Sequence, residues 1–384
     1  MNTVNIKPEL LRWALDRAGL KLEGLTEQFP KLHLWEKGQA MPTFRQLEAF
    51  AHKTLTPLGY FFLQAPPEEK LPIPNFRTVR DERVKGPSPN LLETIQIMQR
   101  RQTWMREFLI EQGQPSLSFV GSAKLTDKVI SVADDIRSKF GITEGWANRQ
   151  PSWTEALRSL RNVIGEAGIL VAINGIVANN TRRALDTNEF RGFVLNDEYA
   201  PLIFVNGADA KAAQMFTLAH ELGHVWLGRE GVFDLRGMQP ADDDVEQFCN
   251  RVAAEFLVPE QELQGCWQEA LHTEEPFQTL ARRFKVSPLV AARRALDLGL
   301  ITKSAFFDFY NDYQEDDRRK TAGKPSGGDF YATQDVRLGR RFAHAVVRAA
   351  KEGRLLYRDA YQLTGLYGET FDRYAKALGG QVGE

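Results

Sequence analysis

The sequence contains only two cysteines, Cys249 and Cys266, and it has no apolar run of about 18 residues. Two cysteines exclude a disulfide framework and a zinc site built from cysteines alone, and they favour a reducing compartment. The missing apolar run excludes a transmembrane helix. Because the first residues also lack the apolar stretch of a signal peptide, we expect a cytoplasmic protein with no membrane partner.

Net charge is nearly absent as well. The 49 Lys and Arg residues face 50 Asp and Glu residues, a formal net charge of -1, which argues against a protein that coats nucleic acid by charge alone. The balance is uneven along the chain. Residues 242–275 carry ten acids and one base, whereas residues 318–384 carry thirteen bases and seven acids. These segments are either modules with different partners or solvated helix faces that differ in sign by chance.

The first 64 residues show apolar side chains at helical spacing, which predicts four or five short helices of a helix-turn-helix bundle. The run 34–47, LWEKGQAMPTFRQL, resembles the Xre/Cro-type helix-turn-helix family. In that family the third helix enters the major groove, and here it offers Lys31, His33 and Lys37. It has no Gln, Asn or Arg for bidentate base reading, so DNA binding and protein docking are both open.

Three apolar runs at 169–173, 192–195 and 201–206 are rich in β-branched residues and predict strands. Turn residues separate them, so we expect a small antiparallel sheet packed on helices. The fold class is then α+β and mostly helical. We also expect the last of these strands to pair with an extended substrate by β-addition.

The motif His220-Glu221-Leu222-Gly223-His224 lies on the helix predicted directly after these strands. Residues four apart share one face of a helix, so the two imidazoles can bind one Zn²⁺. Glu221 can take a proton from a water molecule at the open metal position. This pattern is the zinc-hydrolase signature. The alternative is a pair of structural histidines that bond carboxylates.

A catalytic zinc site usually has three protein ligands, so one more is needed. The metzincin pattern requires glycine and histidine where this chain has Leu227 and Glu230. We therefore look to the next predicted helix, residues 244–257. There Glu246 and Asn250 share a face, and Glu255 lies about 180° away around the axis. We predict Glu246 as the third ligand, Asn250 as an acceptor for a ligand imidazole, and Glu255 as the alternative ligand.

The runs 214–224, QMFTLAHELGH, and 246–259, EQFCNRVAAEFLVP, together resemble the ImmA/IrrE family of metallopeptidases. The resemblance implies a zincin-like core with a gluzincin-like site, in which His220, His224 and Glu246 bind zinc and Glu221 is the general base. It also implies a substrate class, helix-turn-helix repressors, whose cleavage derepresses stress or mobile-element genes. Asn250 departs from the Asp that many gluzincins have at that point.

Four regions follow from these patterns: a helix-turn-helix module at 1–64, a Pro-rich linker and helical spacer at 65–150, the metallopeptidase core with a helix-turn-helix-like segment at 151–300, and a linker with a basic helical module at 301–384. Two functions stay open. One is a zinc-dependent endopeptidase that cleaves a helix-turn-helix repressor or an antitoxin. The other is a DNA-binding regulator or toxin-neutralising antitoxin with a vestigial protease site.

Overall fold

The computed structural model describes residues 3–69, 87–233, 243–315 and 330–380, which fall into two compact units. The described residues up to Gln96 form the first unit, and those from Ile97 onward form the second. The described residues contain sixteen α-helices and four strands, so the predicted α+β, mostly helical class is confirmed. None of the helices within these ranges is both long enough and apolar enough to span a bilayer.

The first unit consists of short helices with local signals at their ends. Pro8 occupies the first turn of its helix, where a missing N–H costs nothing. Thr43 caps another: its Oγ1 accepts the N–H of Gln46 at 3.3 Å, and Oε1 of Gln46 accepts the N–H of Thr43 at 2.9 Å. The helices are α1 (Pro8–Arg17), α2 (Leu32–Glu36), α3 (Phe44–Lys53) and the first part of α4 (Pro89–Glu111).

Leucine and aromatic side chains on α1, α2 and α3 form the core of this unit, with Leu11, Leu32 and Phe50 fully buried. The opposite side of α2 faces solvent, and Lys31, His33 and Lys37 on or beside it are exposed. The helix is only five residues long. The arrangement leaves three basic side chains available, while their contact with DNA stays a prediction.

The second unit contains the remaining helices and the sheet. Its core is formed by apolar side chains from the sheet and from the helices on either side of it. The helices are α5 (Val129–Lys139), α6 (Trp153–Glu166), α7 (Lys211–Leu227), α8 (Asp244–Leu257), α9 (Glu260–Leu271), α10 (Pro276–Phe284), α11 (Pro288–Asp297), α12 (Lys303–Glu315), α13 (Phe330–Leu338), α14 (Arg340–Lys351), α15 (Tyr357–Thr364) and α16 (Glu369–Gly380).

The sheet is mixed, so the predicted wholly antiparallel sheet is wrong. Its strands are β1 (Leu170–Asn174), β2 (Gly192–Leu195), β3 (Leu202–Asn206) and β4 (Gly231–Phe233), in the order β1-β3-β2-β4. β3 runs parallel to β1 and antiparallel to β2, and β2 is antiparallel to β4. Only β2 and β3 are joined by a short turn, which forces an antiparallel pair. The long connection 175–191 leaves β1 free to lie parallel on the far side of β3.

The position of β3 also overturns its expected role. β3 has β1 on one side and β2 on the other, so both of its backbone edges already form ladder hydrogen bonds. A strand in this position cannot accept an extended substrate, because β-addition requires an unpaired edge. Among the described strands, the outer ones are β1 and β4.

Helices α7 and α8 pack closely against each other at Gly223. A Cβ added to Gly223 would lie 3.1 Å from Sγ and 3.2 Å from Cα of Cys249 on α8. Farther along α7, Nε1 of Trp226 donates to Asp135 on α5 at 2.7 Å. The first contact sets the separation of α7 and α8 at Gly223, and the second joins α7 to α5.

We expect Gly223→Ala to lower the free energy of unfolding by about 1–3 kcal/mol, because the backbone of α8 must move to admit the methyl group. The matched control is Gly265→Ala on the exposed side of α9, where an added Cβ meets nothing within 4 Å. There alanine should raise helix stability by about 0.5–1 kcal/mol. Urea denaturation followed by circular dichroism measures both. Equal effects at the two glycines would contradict the close contact.

Candidate metal centre

Helix α7 brings His220, Glu221 and His224 into the interior of the second unit. All three side chains are at most 1% exposed. The helix ends at Gly228, which has the left-handed φ of 64° that glycine adopts without strain. Asn196, in the turn between β2 and β3, donates from Nδ2 to the carbonyl of His224 at 3.2 Å. The last turn of α7 is thereby tied to the sheet.

Helix α8 places Glu246 opposite the two histidines. Asp243 caps the helix by accepting the N–H groups of Val245 at 2.7 Å and Glu246 at 3.3 Å, so Glu246 lies in the first turn. Its carboxylate oxygens lie 3.2 Å from Nε2 of His220 and 3.1 Å from Nε2 of His224, and the two Nε2 atoms are 3.0 Å apart. Within the described ranges, this is the group of three potential ligand residues that meets within 4.8 Å.

Asn250 lies one turn after Glu246 and contacts the first histidine. Its Oδ1 is 3.0 Å from Nδ1 of His220. Because an amide oxygen only accepts hydrogen bonds, Nδ1 carries the proton, and the lone pair of Nε2 faces Glu246 and His224. The structure therefore places Asn250 against the imidazole of His220, the contact that the sequence predicts.

The cluster carries its negative charge on Glu246. Burial acts to raise the pKa of this carboxyl, but His220 and His224 outweigh burial through their charges and hydrogen bonds and hold the pKa well below its ordinary value. For His224, burial dominates and lowers the pKa of the imidazole. A carboxylate that stays anionic beside two imidazole nitrogens is a donor set that suits a divalent metal ion.

Glu221 is fully buried, and neither of its carboxylate oxygens has a hydrogen-bond partner in the part of the chain that is described. Burial, with the nearby charge of Glu246, raises the pKa of Glu221 well above its ordinary value. A buried carboxyl without a protein partner fits a site where a bound group supplies the missing interactions. Glu221 is thus held as a group able to accept and release a proton.

Sequence reasoning missed the residue that makes room for Glu221. Gly192 begins β2 below α7, and a Cβ there would lie 3.1 Å from Oε1 of Glu221 and 2.5 Å from Cγ2 of Thr217. Glycine within a strand signals close approach of another group, so a signal was present. The sequence alone does not show which group approaches.

Glu255, the alternative ligand, lies on the other side of α8 and does not meet the histidines. One of its oxygens pairs with the guanidinium of Arg294 on α11, and the other accepts the N–H of Glu260 at 3.2 Å. Its place is therefore in the packing of α8 against α9 and α11. Glu246 and Glu255 lie about 180° apart around the axis of α8. The carboxylate of Glu246 therefore faces the histidines, and that of Glu255 forms an ion pair on the other side.

Two nitrogen ligands and one carboxylate, all buried, fit a catalytic metal centre with one open position. Residues 165–296 match the family model described as the IrrE N-terminal-like domain, and residues 338–377 match a domain of unknown function. No curated protein matches the chain. The first match includes both α7 and α8. It supports the ImmA/IrrE resemblance for residues 165–296 and indicates a metallopeptidase, a class of enzyme that requires a metal ion.

Proposed function

We propose that the chain is a zinc-dependent endopeptidase with a gluzincin-like site, in which His220, His224 and Glu246 bind the metal. The observation that carries the proposal is the convergence of these three side chains within 4.8 Å in a buried position. Imidazole and carboxylate ligands suit zinc, and neither cysteine belongs to the group of side chains that meets at the cluster.

A bound zinc ion would supply Lewis-acid activation of water and of the scissile carbonyl. Glu221 is the adjacent proton acceptor, and its buried carboxyl can later release the proton to the leaving amine. Asn250 keeps the Nε2 lone pair of His220 directed at the cluster. Both proton transfers thus fall to Glu221, whose carboxyl is buried next to His220 on α7.

The proposed substrate is a helix-turn-helix repressor or an antitoxin, in the cytoplasm. The substrate class is supported by the resemblance of residues 214–259 to the ImmA/IrrE family. The compartment is supported by two cysteines that are both buried and not joined in a disulfide. A second candidate is DNA binding by the first unit, and the three exposed basic side chains around α2 favour it. The candidates are compatible, since the second unit contains the complete cluster.

Metal content tests the ligand set. We expect about one zinc ion per wild-type chain after loading, and a large loss of affinity in Glu246→Gln because the amide removes the anionic ligand. Asp244→Asn is the matched control, since Asp244 is exposed in the same turn of α8. Inductively coupled plasma mass spectrometry and a competitive chelator measure content and affinity. Full zinc binding by Glu246→Gln would exclude Glu246 as a ligand.

Removal of the proton acceptor tests the reaction. We expect Glu221→Gln to lower peptide hydrolysis by at least about 100-fold while zinc content is kept, because the amide cannot take a proton. Cleavage of candidate helix-turn-helix proteins is followed by mass spectrometry, with Glu269→Gln, exposed on α9, as the control. Undiminished cleavage by Glu221→Gln would overturn the mechanism. Absence of cleavage by a zinc-loaded wild-type chain would favour the DNA-binding alternative.

The role of Asn250 predicts a graded effect on metal affinity. Asn250→Ala should weaken zinc binding by about 10–100-fold, because the imidazole of His220 loses the acceptor that orients it. Asn250→Asp should keep affinity at or above the wild-type value, since a carboxylate accepts the same N–H. Gln247→Ala, on the exposed side of α8, serves as the control for a neutral substitution on this helix. Equal affinities in all four proteins would contradict the assigned role.

A further inference from the structure

A cavity of about 430 Å³ lies in the second unit, and its lining includes none of His220, His224 and Glu246. Its walls come from the end of α6, from β1 and from the first turn of α14, and they include Arg161, Glu166, Arg340, Arg341 and Phe342. We call it the arginine cavity. One wall belongs to the segment that matches the IrrE N-terminal-like domain, and another belongs to the segment that matches a domain of unknown function.

Arg161 on α6 is a buried arginine in the wall of the arginine cavity. It is only 9% exposed, yet it forms no hydrogen bond or ion pair with any residue that the structure describes. A guanidinium has five N–H donors, and a buried charge without a partner destabilises the fold. Burial also lowers the pKa of Arg161, and the charge of Asp335 opposes that shift. Arg161 therefore has donors available toward the cavity.

Asp335, the carboxylate whose charge acts on Arg161, already contacts two other side chains. Asp335 on α13 accepts a hydrogen bond from the hydroxyl of Tyr374 at 2.9 Å and lies 3.4 Å from Nε of Arg340. Glu166, the acidic residue in the cavity wall, is exposed at its outer side. Neither carboxylate forms an ion pair with Arg161, so positive charge is left in excess inside the cavity.

Two further cations stand at the start of α14. Arg340 and Arg341 are its first two residues, at the positive end of the helix dipole, where cations are unfavourable unless an anion is present. No side chain caps this helix; its N-cap is Gly339. A Cβ on Gly339 would lie 2.8 Å from the carbonyl oxygen of Val171 on β1, so the helix start is held close to the sheet. The backbone N–H groups at a helix start and the guanidinium groups beside them suit an anion.

We propose that the arginine cavity binds a phosphate group, free or carried by a small molecule, through Arg161, Arg340 and Arg341. Guanidinium groups match the oxygens of phosphate in bidentate pairs, and a doubly charged anion balances several cations better than a carboxylate does. The volume lies in the range of small-molecule sites.

The test is a thermal-shift titration of the full-length chain with sodium phosphate, with ribose 5-phosphate and with sodium chloride at equal ionic strength. We expect a rise of about 3–6 °C in the unfolding midpoint at a phosphate concentration about 100 times Kd, and no such rise with chloride. A larger response to ribose 5-phosphate identifies a phosphorylated small molecule as the ligand. An equal response identifies free phosphate.

Arg161→Met should weaken the phosphate response by at least about tenfold in concentration, and it should raise the midpoint in chloride because an unpaired buried charge is gone. Arg158→Met is the matched control: Arg158 lies three residues earlier on α6 and pairs with Glu155 at the surface. Arg341→Gln provides a second variant within the cavity. The proposal is overturned if phosphate and ribose 5-phosphate act no differently from chloride, or if Arg161→Met responds as the wild type does.

Discussion

The contact of Gly223 on α7 with Cys249 on α8 sets the geometry on which the candidate metal centre depends. Gly223 lies three residues after His220 on α7 and Cys249 lies three residues after Glu246 on α8, so this contact is within about one helical turn of the cluster. Any larger residue at Gly223 would move α8 away and carry Glu246 with it. The cluster of His220, His224 and Glu246 therefore depends on the separation of two helices, and the packing at Gly223 sets that separation.

Sequence alone could identify the histidines and the proton acceptor, because their spacing refers to one helix. The sequence could also limit the candidates for the third ligand to Glu246 and Glu255, because these residues lie on opposite faces of the next predicted helix and only one of them can face the histidines. The final choice depends on which face of α8 turns toward α7; in the structure Glu246 faces α7, and Glu255 pairs with Arg294 on α11. The part played by Gly192 and the direction of β1 depend on contacts between segments distant in sequence, which local patterns do not contain.

The buried polar groups of the second unit fall into two kinds. Glu255 and Arg294 satisfy each other, and such pairs are placed by packing. Glu221 and Arg161 are buried without hydrogen-bond partners among the described residues, one as an acid with a raised pKa and one as a cation. Groups of this second kind cost stability in the isolated chain, and both of our proposals for a bound group rest on them.

The placement of β4 has a consequence for how firmly the metal helix is held. β3 precedes α7 and β4 follows it, and both pair with the same strand, β2. β3 and β4 therefore run in the same direction with β2 between them, and α7 is the crossover of a split β-α-β unit. Tilting this helix would pull on hydrogen-bonded strands at both of its ends. The two histidines thus stand on a helix whose preceding and following strands both pair with one strand, and this limits how far the helix can move relative to the sheet.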